Sequence, residues 1–254
     1  MDPLPGPRRL DEISGAQVIA PGAALAGPDT TGAGGFSFAE SHMARVLGAP
    51  TVLIDPTGGP RAAAVALDGA AAHLGCDLVA LVDVGGDVLG HGHEPNLASP
   101  LCDAVLLAAS AYMTTPAIGA VFGPACDGEL SPAEVLERIG ELAAAGGWLG
   151  TWGLTPGVTT LLETAVAQVP TEASAQALLA ARGRTGPSPI RDGRRHVELS
   201  PVCALTFFFD CAIAIAGPAR CAAAVLGAGS LEEANAILLA AGIRTELGWE
   251  QAHA

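Results

Sequence analysis

The chain has 254 residues, half of them hydrophobic and 15% charged, which suits one core of α/β size and excludes a disordered chain. Twenty-six acids against twelve bases leave a net charge of −14, so phosphate backbones and anionic lipid repel it, and neither nucleic acid nor membrane is an expected partner. All twelve bases are Arg, and the absence of Lys excludes Schiff-base chemistry, P-loop ATPases and protein kinases.

The first strand is read at Gln17–Ala20, followed by a Gly- and Pro-rich loop at Gly22–Gly35 and a helix over Phe38–Leu47. Thr51–Ile54 reads as a strand and Arg61–Leu74 as a helix. Leu78–Val84 is a continuous apolar run, as expected of a strand buried on both faces. Ser99-Pro100 opens a helix, Ala117–Phe122 is strand-like, and Ser131-Pro132-Ala133-Glu134 is a capping box for a helix to about Ala145. Thr159–Val169 and Glu172–Ala181 read as helices, Gly183–Gly193 as a loop, Val197–Phe209 as β-rich, and Ser230-Leu231-Glu232-Glu233 as a second capping box. Cys211–Ala216 reads as a buried strand, with an interface between copies as the other reading. This alternation predicts a single α/β domain over residues 1–254, with 1–15 as a flexible lead. The expected architecture is Rossmann-like and doubly wound, a mostly parallel sheet with helices on both faces.

In such folds ligands bind beyond the carboxyl ends of the strands. The densest polar cluster lies there. Asp83-Val84-Gly85-Gly86-Asp87 is followed by His91-Gly92-His93-Glu94 and by Ser99-Pro100-Leu101-Cys102-Asp103. Gly85 and Gly86 let backbone approach a ligand, and the helix start at Ser99 offers N–H groups to an anion. Asp83, desolvated at a strand end, should have a raised pKa suited to proton transfer. His91 and His93 with a carboxylate form a metal set, though no H-E-x-x-H spacing supports it, and solvated loop histidines are the plainer reading. After the next strand, Cys126, Asp127 and Glu129 occupy the equivalent position. Asp127 and Glu129 are read as ligand acceptors, and Cys126, the one cysteine in a polar loop, as a substrate contact and the one candidate nucleophile, though the acids beside it would raise its pKa. Five of the twelve Arg fall between 182 and 195, and Arg194 or Arg195 is expected to clamp a carboxylate. The loop at Gly22–Gly35 lacks the G-x-G-x-x-G spacing of dinucleotide sites.

From Val82 onward, over about two thirds of the chain, the sequence resembles the bacterial and archaeal family called domain of unknown function 1152. The resemblance rests on Asp83-Val84-Gly85-Gly86-Asp87, Gly92, Glu94, Leu97, Ser99-Pro100-Leu101 and Asp103. It continues through Cys126-Asp127-Gly128-Glu129-Leu130, Thr171-Glu172-Ala173-Ser174 and Ser230-Leu231-Glu232-Glu233-Ala234-Asn235. Where that family carries a run of glycines and an Asp after its first strand, this chain has Pro21-Gly22 and Gly32-Ala33-Gly34-Gly35. A fainter likeness is to the D-glutamate cyclases, which carry an Asp-Gly-Gly-acid segment after a sheet strand.

Three functions are compatible with these residues. The first is a cofactor-independent lyase, cyclase or isomerase of bacterial metabolism, specialised biosynthesis included, acting on a small polar carboxylate-bearing metabolite. In it Asp83 and Asp87 serve as acid and base, and Glu94 and Asp103 hold polar substrate groups. The second is a metal-assisted hydrolase or phosphoryl-group enzyme with a divalent ion on His91, His93, Asp87 and Asp103. The third is a non-catalytic ligand-binding member. The six cysteines lack a C-x-x-C pair and are expected to be free thiols, and the start of the chain shows no apolar leader, so the expected location is cytoplasmic. A homo-oligomer is compatible with the apolar stretches Leu205–Phe209 and Cys211–Ala216.

Overall fold

The computed structural model describes residues 7–253. It is an α/β structure with three sheets. β1 (Ser14–Ala20), β2 (Ala23–Thr31), α1 (Ala39–Leu47), β3 (Thr51–Ile54) and α2 (Gly59–Leu74) form the first unit of chain, with the strands antiparallel in the order β1-β2-β3. β4 (Val79–Val84), α3 (Pro100–Ala109), β5 (Ala117–Phe122), α4 (Pro132–Ala144) and β6 (Trp148–Gly153) follow. Then come α5 (Pro156–Val166), α6 (Glu172–Ala181), the hairpin of β7 (Gly186–Ile190) and β8 (Arg195–Leu199), β9 (Leu205–Phe209), and the helices α7 (Cys211–Ala216), α8 (Arg220–Val225), α9 (Leu231–Ala240) and α10 (Glu246–His253).

The central sheet runs β4-β5-β9-β6. β4 and β5 are parallel, and β9 enters antiparallel between β5 and β6. The Rossmann-like, doubly wound order is therefore not established. Among the described strands β4–β5 is the parallel pair, and the expected mostly parallel sheet is corrected to a mixed one. An apolar run states that a strand is buried but not which way it points, and Leu205–Phe209 carries no directional mark. Gly119 faces Phe209 across the β5–β9 ladder, and a Cβ there would lie 2.1 Å from the ring, so its absence lets the two strands close over that side chain. The main core gathers Leu101 and Leu107 of α3, Val135 and Leu142 of α4, Phe207 and Phe209 of β9, and Leu231 and Leu238 of α9. α2 packs its alanines against the first sheet on one side and meets α3 on the other, joining the two sheets through small side chains.

Helix starts follow the chemistry that predicts them. Ser131 accepts from the Glu134 amide while Glu134 accepts from the Ser131 amide. Ser230 caps Glu233, but the Glu233 carboxylate turns back to the Gly229 amide instead, so only half of that capping box forms. Three expected loops or strands are corrected. Gly22–Gly35 contains β2, Gly183–Gly193 contains β7, and Cys211–Ala216 is a helix capped by Asp210. Pro28 escapes the β2 ladder because the register jumps between Ser14/Thr31 and Ala16/Ala26, leaving Gly27 to Thr30 in a bulge. Of the expected flexible lead, residues 1–6 lie outside the described residues. Leu10–Glu12 is a 3-10 turn, Ser14 and Gly15 begin β1, and Arg8 pairs with Glu250 at 2.9 Å. β6 is an edge strand with Trp148 and Trp152 on the surface, 47% and 68% exposed. Among the described residues no helix is long and apolar enough to cross a membrane.

Candidate functional site

The parallel pair β4–β5 delivers the candidate acids. Asp83 is the penultimate residue of β4, and the chain then turns through Gly85 and Gly86, both at left-handed φ, +128° and +121°. Glycine is needed here for space as well as conformation. A Cβ on Gly85 would sit 2.2 Å from the Asp127 carboxyl carbon, and one on Gly86 would sit 2.9 Å from Val135. Asp127 arrives on the loop after β5, stitched to the first loop by the Ala125 amide, which donates to the Gly85 carbonyl at 2.6 Å. Ala125 itself holds φ +65°, a strained choice for a residue with a side chain.

Four aspartates converge: Asp83, Asp87 in the turn Asp87–Leu89, Asp103 in the first turn of α3, and Asp127. Oxygens of Asp83, Asp87 and Asp103 lie within 4.8 Å of one another, as do those of Asp87, Asp127 and Glu129. Asp83, Asp87 and Asp127 are buried, and Asp103 is half-buried. Burial and mutual repulsion act in the same direction. Asp83 and Asp87 are pushed well above the carboxylate range, first by desolvation and then by neighbouring acids. Asp103 rises to about 6 and Asp127 to about 7, again mainly by burial with Glu129 adding repulsion. Asp83 accepts from the Val88 amide at 3.3 Å and from the Asp87 carboxyl. Asp127 Oδ1 is buried with no hydrogen-bond partner. The expected rise at Asp83 is thus found, and it is shared by the whole group.

The helix start at Ser99, read as an anion site, is taken by the protein's own carboxylates. Glu129 accepts from the Ala98 and Ser99 amides at 2.7 and 2.9 Å and from the Ser99 hydroxyl at 2.6 Å. One turn further in, Glu246 accepts from the Leu101 and Cys102 amides at 3.2 and 2.8 Å, and burial pushes its carboxyl up to about 8. Glu94 is likewise occupied. It accepts from the His91 and Gly92 amides at 2.8 Å each and from Arg138 at 3.4 Å. Its pKa lies below the ordinary value because these amides outweigh the opposing burial.

The remaining expected residues separate. His93 is exposed, whereas His91 is turned toward Glu141 at 3.3 Å, off the hydrogen-bond axis, and burial lowers its pKa. These two histidines and Glu94 have donor atoms close together, yet both Glu94 oxygens already serve amides. Of the Arg-rich stretch, only Arg195 reaches the acids, 3.4 Å from Glu129. Arg194 is exposed and folds back on the Arg191 carbonyl, Arg182 pairs with Glu163, and Arg191 with Glu172. Cys126 is corrected from a polar-loop cysteine to a buried one packed with Cys203, Ile190 and Val197. Sequence reasoning missed Arg138 and Glu246. Arg138 had a signal, being the one base on an acidic helix, while Glu246 lies far along the chain from the amides it caps.

A cleft of about 310 Å³ adjoins the group, lined by Pro95, Asn96, Ala125, Gly128, Leu130 and His196 among others. Asp127 falls in the chain between two lining residues, Ala125 and Gly128. A second cleft of about 320 Å³ is lined by Phe36, Phe38, Leu53, Cys102 and Glu246 among others. The family model described as protein of unknown function DUF1152 matches residues 1–254, so the chain belongs to that family over its whole length, the altered first loop included. No curated protein and no solved structure matches it.

Proposed function

We propose that this member of the DUF1152 family is an enzyme that moves protons on a small, polar, carboxylate-bearing metabolite, in a lyase, cyclase or isomerase reaction that needs no cofactor. The carrying observation is the aspartate group at the carboxyl ends of β4 and β5, where Asp103 and Asp127 titrate at about 6 and 7. A general acid or base is most effective when its pKa lies near the working pH, and at neutral pH this group holds protons that can be given and recovered. Asp83 and Asp87 pass protons to the reacting atoms, and Asp103 and Asp127 set the charge around them. Arg195 takes the substrate carboxylate, since its Nη1 is close to Glu129 but makes no hydrogen bond and is free to turn. Substrate enters by the cleft beside Ala125 and Gly128, and the 123–130 loop yields to admit it.

One observation favours a second reading. Oxygens of Asp87, Asp127 and Glu129 lie within 4.8 Å of one another, and Asp127 Oδ1 has no partner, so a divalent cation could sit among them if Glu129 shared the oxygens that now cap α3. In that reading the ion takes the place of the shared protons and polarises the substrate. A thermal-shift screen against small carboxylic acids and divalent ions, with and without chelator, separates the two. A shift with a carboxylate that survives chelation, followed by a bell-shaped pH profile of turnover lost in Asp83→Asn, supports proton transfer. A shift that requires a divalent ion moves the assignment to the cation. Turnover that Asp83→Asn and Asp87→Asn leave intact removes the first reading.

A further inference from the structure

Two cysteines come together beside the aspartates and take no part in the proton-transfer reading. Cys126 sits in the loop after β5, and Cys203 in the short turn Pro201–Ala204 that leads into β9. Both are buried in one small apolar cluster with Ala177, Ile190, Val197 and Leu199. The Cys126 thiol donates to the Cys203 carbonyl oxygen at 3.8 Å, which sets the two side chains side by side. The Cys203 sulfur is further held by the Glu198 carbonyl at 3.7 Å and the Ser200 hydroxyl at 4.0 Å. The pair is chemically unequal. The neighbouring Cys126 side chain holds the Cys203 thiol down at about 6, while Cys203 and burial push Cys126 up. Cys203 is thus the easier of the two to ionise when the loop opens, which suits it to attack, and Cys126 to resolve.

We propose that Cys126 and Cys203 are a redox modification site: a hydroperoxide joins them in a disulfide that displaces the Asp127 loop. The Cys203 thiolate attacks a peroxide oxygen, the O–O bond breaks, and a sulfenic acid forms while hydroxide leaves and takes up a proton as water. The Cys126 sulfur then attacks the sulfenic sulfur. The S–S bond forms, the S–O bond breaks, and the hydroxyl leaves as water with the proton from Cys126. Two thiols lose two electrons and two protons, and the peroxide accepts them. Forming the bond draws the sulfurs to about 2.05 Å. Cys126 directly precedes Asp127, whose carboxyl lies against Gly85 with no room to spare, so the contraction is transmitted to the aspartate group. Because both sulfurs are buried, the reaction runs through local opening of the loop and is slower than oxidation of the exposed Cys76.

The test needs no substrate, so it stands apart from the proposed reaction. The full chain is alkylated in its native state to block Cys76, treated with hydrogen peroxide, denatured, alkylated again and cleaved after acidic residues. That cleavage places Cys126 on the peptide between Asp103 and Asp127, and Cys203 on the one between Glu198 and Asp210, separate from the other four cysteines. The expected product is these two peptides joined, lighter by two hydrogens, and separated by dithiothreitol. Cys126→Ser and Cys203→Ser each abolish it, and Cys203→Ala serves if the serine variant folds poorly. The pH profile of the melting temperature shifts on oxidation of the unmodified chain and not of the variants. Two alkylatable thiols after peroxide, or a bridge to a different cysteine, overturn the modification site. A bridge that leaves the pH profile unmoved overturns the link to Asp127.

Discussion

Glu94 and Asp127 are equally hidden from water and have opposite character. Glu94 is met by two backbone amides and a guanidinium, and its pKa is lowered. Asp127 leaves one oxygen with no donor at all, faces Glu129, and rises to about 7. Burial alone therefore does not determine what a carboxylate does. The supply of donors decides whether it is a fixed anion that holds backbone in place or a reservoir for a proton. Glu246 lies between the two, for it receives two amides and still rises to about 8 because its burial outweighs them.

The contrast can be broken most severely at Gly85. In Gly85→Ala the new methyl would overlap the Asp127 carboxyl and adopt a left-handed φ, costing about 4 kcal/mol and displacing the whole loop, as chemical denaturation would read. Arg138→Met removes the guanidinium from Glu94 and should cost about 3 kcal/mol. The loss should shrink below pH 4.5 as Glu94 becomes protonated. A melting series in pH sharpens the comparison. Asp103 and Asp127 release their protons near 3.8 when unfolded but only at about 6 and 7 when folded. Between those values the unfolded state binds fewer protons, so their contribution is complete below pH 3.8 and is lost as pH rises from there through about 7. Asp127→Asn should flatten that slope. Glu94 acts in the reverse sense, contributing above pH 4.5 and losing its contribution as pH falls below it. The smallest effect is expected at Ser99→Ala, which takes one hydroxyl from Glu129 and leaves its two amides, for about 1 kcal/mol.

Much of this arrangement is legible in the sequence because the chain is poor in charge. Asp83, Asp87, Asp127 and Glu129 stand out after apolar runs, and β4, β5, α3 and α4 fall where the runs and caps put them. What could not be read depended on tertiary direction. β9 carries five apolar or β-branched residues that suit either orientation, and it turned the sheet mixed. β2 is hidden behind Gly27 and Pro28, which signal a loop but sit in a bulge. β6, Trp-Leu-Gly-Thr-Trp-Gly between two helix boundaries, lacks the apolar alternation of a half-buried strand. Within the site, helix starts that look open to a ligand are filled by acids from elsewhere, Glu129 from the next loop and Glu246 from the far end of the chain. No local pattern states that pairing.

The exposed edge at β6 has a consequence for measurement. Trp148 and Trp152 are on that strand and Trp249 on α10, each more than two-fifths accessible, so all three indoles of the chain face solvent. Their fluorescence is already that of wet tryptophan in the native state, and emission wavelength is a poor reporter of the core's collapse. The same indoles are open to iodide quenching. Two of the three share one strand, so whatever touches that strand in solution announces itself as a loss of quencher access, without a label.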